Sequence, residues 1–141
     1  MFQKRPNTFS IYLAFVALAM AAYLQVAFLQ NSLKWDLIDC YLPWRFHVGE
    51  CLRNGIFPYW NPYTHCGYPI HADLRSVWYP ETFLVGLTTG YTNLTLHLLF
   101  IIHISLAGLG MYLLSTHFTN DWRASLVAGI AYLLSGFFTG H

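Results

Sequence analysis

Two carboxylates three residues apart, Asp36 and Asp39, follow closely on a long uncharged stretch of this chain. On a continuing helix that spacing puts both on one face. A carboxylate held against hydrocarbon is costly to ionise, so its pKa rises, which suits it to general-base work. Two carboxylates can instead hold a divalent cation through oxygen ligands. The plainer alternative is a helix cap at a membrane boundary, or pairing with Lys34.

Asp36 and Asp39 sit at the front of residues 35–81. That segment holds five of the six carboxylates, five of the six prolines and four of the five tryptophans, so the polar and aromatic chemistry is concentrated there. Its cations are Arg45, Arg53 and Arg75. Arginine binds phosphate bidentately, so one or two of the three could hold a lipid phosphate or pyrophosphate. The blander alternative is attraction to anionic headgroups, worth about 1 kcal/mol per residue.

His47 and Cys51 stand four apart, and His65, Cys66 and His71 follow. The spacing matches no zinc knuckle or finger, so no metal site is predicted from it. The three cysteines, Cys40, Cys51 and Cys66, are an odd count and define no disulfide framework. Residues 55–69 read GIFPYWNPYTHCGYP, with prolines and glycine that argue against regular structure. Aromatic faces in such a rigid turn suit sugar rings, and Trp60 and Tyr63 would also anchor at the headgroup level. An interfacial plug sealing a helix bundle is the alternative.

The elements that must position these residues are apolar. The chain is 56% hydrophobic and 9% charged, far below the roughly 25% charge of soluble domains. Its net charge of +1 leaves no basic stripe for nucleic acid. Residues 9–29 carry no charge and are long enough for one spanning helix. A cleaved signal peptide is the competing reading, since Ala17, Ala19, Ala21 and Ala22 offer small residues for cleavage, but the apolar run is long for one. Residues 94–114 give a second spanning helix, with His97 and His103 inside it and Gly108 and Gly110 as a smooth patch for a neighbouring helix. A third apolar stretch starts at Ala124.

The expected architecture is therefore an all-α membrane protein with three transmembrane helices, 9–30, 93–115 and 124–141. Residues 1–8 would be cytoplasmic, 31–92 an extracytoplasmic loop and 116–123 a cytoplasmic link, because Lys4, Arg5 and Arg123 mark the inner face. Tyr41, Trp44, Val48 and Leu52 recur at helical spacing, with Gly55 as a stop, so a short amphipathic surface helix is expected near 40–54. A further apolar stretch, 82–87, is too short to span and should dip into the interface. The third stretch has no polar tail, which suggests a fragment of a larger polytopic bundle.

The order WDLIDCYLPWRF, GIFPYWNPYTHCGYP, HADLRSVWYPE and AGIAYLLSGFFTGH resembles the front of YfhO-type bacterial integral membrane proteins, and more widely the GT-C glycosyltransferases. The resemblance implies transfer of a sugar from a polyprenyl-phosphate donor to a cell-envelope acceptor, at the outer face of the bacterial inner membrane. It implies Asp36 as the catalytic group, with Asp39 the close second. Arg45, Asp73, Arg75 and His141 then become substrate-binding candidates, together with Trp60, Asn61, Tyr63 and Tyr79. The implied partners are the bilayer, the lipid-borne donor and the remaining helices of a longer chain. A non-catalytic membrane protein, a transporter part or flippase-like helper, is the alternative.

Overall fold

The computed structural model describes residues 6–33, 36–72 and 79–139, and the chain is mostly helical. The elements in order are α1 (Thr8–Ala22), α2 (Leu24–Ala27), a π-helical turn (Leu37–Tyr41), α3 (Leu42–Arg53), β1 (Trp60–Asn61), β2 (Tyr68–Pro69), a 3-10 turn (Ile70–Ala72), α4 (Pro80–Leu87), α5 (Asn93–Phe118), α6 (Trp122–Leu133) and α7 (Gly136–Thr139). Two compact units result: residues 1–31 with 97–141, and residues 32–96.

The first unit is built on α1. Asn7 caps it, its side chain accepting from the Phe9 N–H at 3.2 Å, which satisfies one of the orphan donors of the first turn. Ile11, Phe15 and Ala19 recur every four residues and are buried on one face, against Ile101, Ile104, Tyr112 and Leu133. The Phe15 and Tyr112 rings meet edge to face at 6.5 Å. Gly108 and Gly129 let the helix backbones approach: a Cβ on Gly129 would lie 2.8 Å from the Gly108 carbonyl oxygen. Gly110, expected to share that patch, has nothing within 4 Å of its notional Cβ. Two residues turn a helix by roughly 200°, so Gly108 and Gly110 cannot share a face.

The expectation of three spanning helices is not met. Among the described residues only α5, with 26 residues, is long and apolar enough to cross a membrane. The first stretch breaks at Tyr23, leaving α1 at 15 residues. That is roughly 22 Å of helix against a hydrocarbon core of about 30 Å. Long-range bonds accompany the break. The Tyr23 hydroxyl donates to the Leu133 carbonyl at 3.3 Å, and its ring meets Phe100 edge to face. His97, buried on α5, donates from Nδ1 to the Val26 carbonyl at 2.8 Å, as an interhelical bond should. The third stretch likewise divides, into α6 and α7, after Leu134 and Ser135.

The second unit holds α3, α4 and the two short strands. The helix expected near 40–54 is present as α3, preceded by the π-helical turn. Gly55 ends it as expected, with φ +70: its N–H reaches the Leu52 carbonyl and the Ile56 N–H reaches that of Cys51. Trp44, Val48 and Ile70 form the buried core, with Leu52 and Tyr68 against it. On α4, Gly86 sits against Gly49 of α3; a Cβ there would lie 3.3 Å from the Gly49 Cα. Arg45 and Glu81 pair across the same two helices at 3.3 Å, and the guanidinium lies over the Tyr91 ring.

Residues 55–69 were expected to lack regular structure, yet Trp60 pairs with Pro69 and Asn61 with Tyr68 in an antiparallel ladder. Two local features make it possible. Asn61 folds the chain onto itself, accepting from the Tyr63 N–H at 2.9 Å and donating to Thr64 Oγ1 at 3.2 Å. Gly67 takes φ +95 with the Trp60 indole packed across it, where a Cβ would come within 2.7 Å of the ring.

Candidate functional site

A cleft of about 350 Å³ opens between α3 with its preceding turn and the hairpin of β1 and β2. That volume lies within the usual range for small-molecule sites. The helical wall brings Asp39, Cys40, Trp44, Phe46, His47 and Glu50. The hairpin wall brings Asn61, Tyr63, Thr64, His65 and Tyr68. Asp39, the residues at 43 and 46–47, and Glu50 follow one another at steps of three and four, which is why a single face carries them.

Asp39 is exposed and makes no hydrogen bond or ion pair with the described residues. Asp36, also exposed, does not line the cleft; its carboxylate lies 4.0 Å from Cys40 Sγ. The π-helical turn that carries Asp39 is a rare geometry, and such turns recur at functional sites.

His47 bridges the two walls. Its Nε2 lies 3.1 Å from the Trp60 carbonyl, which can only accept, so Nε2 carries the hydrogen. The ring also meets Tyr63 edge to face at 5.3 Å. Trp44 lines the cleft at 3% exposure, and its indole N–H has no acceptor. A buried donor left unpaired costs roughly 1–3 kcal/mol, so an acceptor brought by a ligand would stabilise the wall. At the hairpin tip His65 and Cys66 take φ of +52 and +59. Backbone held in that region by side chains other than glycine costs about 1–2 kcal/mol each.

Cys51 sits behind this wall, its Sγ 3.7 Å from the His47 ring. Burial pushes its thiol pKa up, and the neighbouring Glu50 charge adds to the effect. Cys51 is thus held as a thiol and is poorly suited to nucleophilic work. Among the described residues no group of three histidines, cysteines or carboxylates is placed to hold a metal ion.

The other expected site residues are dispersed. Asn61 and Tyr63 line the cleft, Asn61 buried and Tyr63 exposed. Trp60 packs its indole on Gly67 and contributes its carbonyl to His47. Arg45 pairs with Glu81, where both side chains are mostly buried, and does not line the cleft. Tyr79 precedes α4, is exposed and does not line the cleft. Asp73, Arg75 and His141 lie outside the described residues. Glu50, Trp44 and Thr64 were missed as site residues, and His47 and His65 were considered only as metal ligands. The three-and-four spacing from Asp39 to Glu50 was the available signal.

The fold and site together define a mostly helical chain with, among the described residues, one helix long and apolar enough to cross a membrane, and an aromatic-walled cleft bearing carboxylates. No protein-family model, curated protein or solved structure matches the chain.

Proposed function

We propose that the chain serves glycosyl transfer at a membrane, in the manner of the GT-C enzymes it resembles. The observation that supports this is the Asp39 carboxylate on the aromatic-walled cleft, which has no hydrogen-bond or ion-pair partner among the described residues. A sugar ring stacks on tyrosine faces such as Tyr63 and Tyr68. Asp39 accepts the proton of the acceptor hydroxyl as it attacks the sugar carbon, and the polyprenyl phosphate leaves. Asp36 is the second carboxylate, outside the cleft. In this reading α1 with α2, α5, and α6 with α7 form three membrane segments. Residues 31–92 face outward from the bacterial inner membrane, the side on which a lipid-borne donor presents its sugar.

The test is transfer of a labelled sugar to the envelope by the full-length protein carrying Asp39→Asn or Asp36→Asn. Loss of about a hundredfold or more with Asp39→Asn, and a smaller loss with Asp36→Asn, supports the reading. Undiminished transfer with Asp39→Asn removes it.

One observation favours a non-catalytic membrane protein instead. Arg45 is committed to Glu81 and Tyr91, so among the described residues no arginine or lysine lines the cleft to receive a leaving phosphate.

A further inference from the structure

The charge of the cleft carries a statement about what it admits. Its walls hold two carboxylates, Asp39 and Glu50, two imidazoles, His47 and His65, and among the described residues neither lysine nor arginine. With histidine counted as neutral, the described lining is net negative. Glu50 shares its charge with Arg53 in a partly exposed pair, and such pairs are worth little. Asp39 has no such partner among the described residues. The remaining lining is aromatic or hydroxyl-bearing, with Trp44, Phe46, Tyr63 and Tyr68 as rings and Asn61 and Thr64 as polar groups. The unpaired Trp44 N–H adds a buried donor without an acceptor.

We infer that this cleft is a charge-selective subsite for a neutral or amine-bearing sugar ring, and that Asp39 and Glu50 exclude phosphate from it. A phosphate oxygen brought beside an unpaired carboxylate meets repulsion of the same size as the attraction an ammonium would gain. Rings stack on the tyrosines regardless of charge, and an ammonium over those faces gains a further cation–π attraction. The phosphate of a lipid-borne sugar therefore stays outside the cleft while its ring, or the acceptor's ring, enters. The inference rests on the saccharide reading above, but it concerns binding and needs no turnover.

The experiment is calorimetric titration of the full chain, in lipid nanodiscs at low salt, with three sugars of graded charge: glucosamine, glucose and glucose 1-phosphate. The affinity is expected to fall in that order, by about tenfold between the two ends or more. The double variant Asp39→Asn with Glu50→Gln should collapse the order to within about threefold, with an unchanged circular dichroism spectrum and thermal unfolding midpoint showing that the variant is folded. Added salt should also narrow it. Glucose 1-phosphate binding as tightly as glucosamine overturns the inference, as does an order unchanged in the double variant. Absence of binding by all three sugars overturns it too. Sugar transfer is measured separately, so a chain that transfers without this charge order keeps the functional reading and loses only the subsite.

Discussion

His47 on α3 donates from Nε2 to the backbone carbonyl of Trp60 on β1, at 3.1 Å, and this bond ties the two walls of the cleft together. The apolar part of the link is Ile70, fully buried against Trp44 and Val48. Replacing His47 with Phe keeps the ring and removes the donor. We expect a loss of about 1 kcal/mol in the stability of residues 32–96. Hydrogen exchange should show it as faster exchange at the Ile70 amide, which bonds to the Tyr59 carbonyl. Unchanged exchange there would mean that the bond holds nothing.

The glycines separate into those that bring helices together and those that do not. Gly129→Ala would place a methyl 2.8 Å from the Gly108 carbonyl oxygen, and Gly86→Ala one 3.3 Å from the Gly49 Cα. Each should destabilise by about 1–3 kcal/mol, the Gly129 variant more. Gly110→Ala meets nothing and should be neutral or stabilising by up to about 1 kcal/mol, from helix propensity alone. Thermal unfolding in a fixed detergent ranks the three.

At the hairpin, Gly67→Ala carries two penalties: a left-handed φ of +95 and a methyl pressed into the Trp60 indole. The double variant Gly67→Ala with Trp60→Ala removes only the second. It should therefore recover part of the stability lost by Gly67→Ala, measured against Trp60→Ala alone. Full recovery would show that the backbone conformation costs nothing.

The Cys51 thiol pKa is raised, first by burial and then by Glu50. The thiolate is the reactive form, so alkylation of Cys51 should be slow at neutral pH and accelerate at alkaline pH. Glu50→Gln removes the second contribution, lowers the pKa and should speed alkylation at any fixed pH below it. Mass spectrometry of the labelled peptide reads this against exposed Cys40 and Cys66 as internal references.

What was legible in the sequence was local. Tyr41, Trp44, Val48 and Leu52 at helical spacing, with Gly55 behind them, suffice for α3 because each signal lies within a few residues of its effect. The long uncharged run from Leu94 onward likewise announced α5. The break at Tyr23 had no such signal: no proline or glycine interrupts residues 9–29, and the bond that accompanies it reaches Leu133, 110 residues away. Arg45 was read as free for phosphate because Glu81, 36 residues on, gave no sign of being its partner. For the site, the Asp39 carboxylate and the residues Asn61 and Tyr63 were legible by type. Their meeting in one cleft depended on a two-residue ladder too short for any periodicity to reveal.

Glycosyl transfer as proposed requires Asp39 and its cleft to face the outside of the cell, where a prenyl-linked sugar is presented. Cys66 is exposed at the hairpin tip beside that cleft and reports the face directly. A membrane-impermeant thiol reagent applied to intact cells should label the full-length protein at Cys66, and Cys66→Ser should remove that label. Labelling of Cys66 only after the membrane is permeabilised would place the cleft in the cytoplasm and contradict the account.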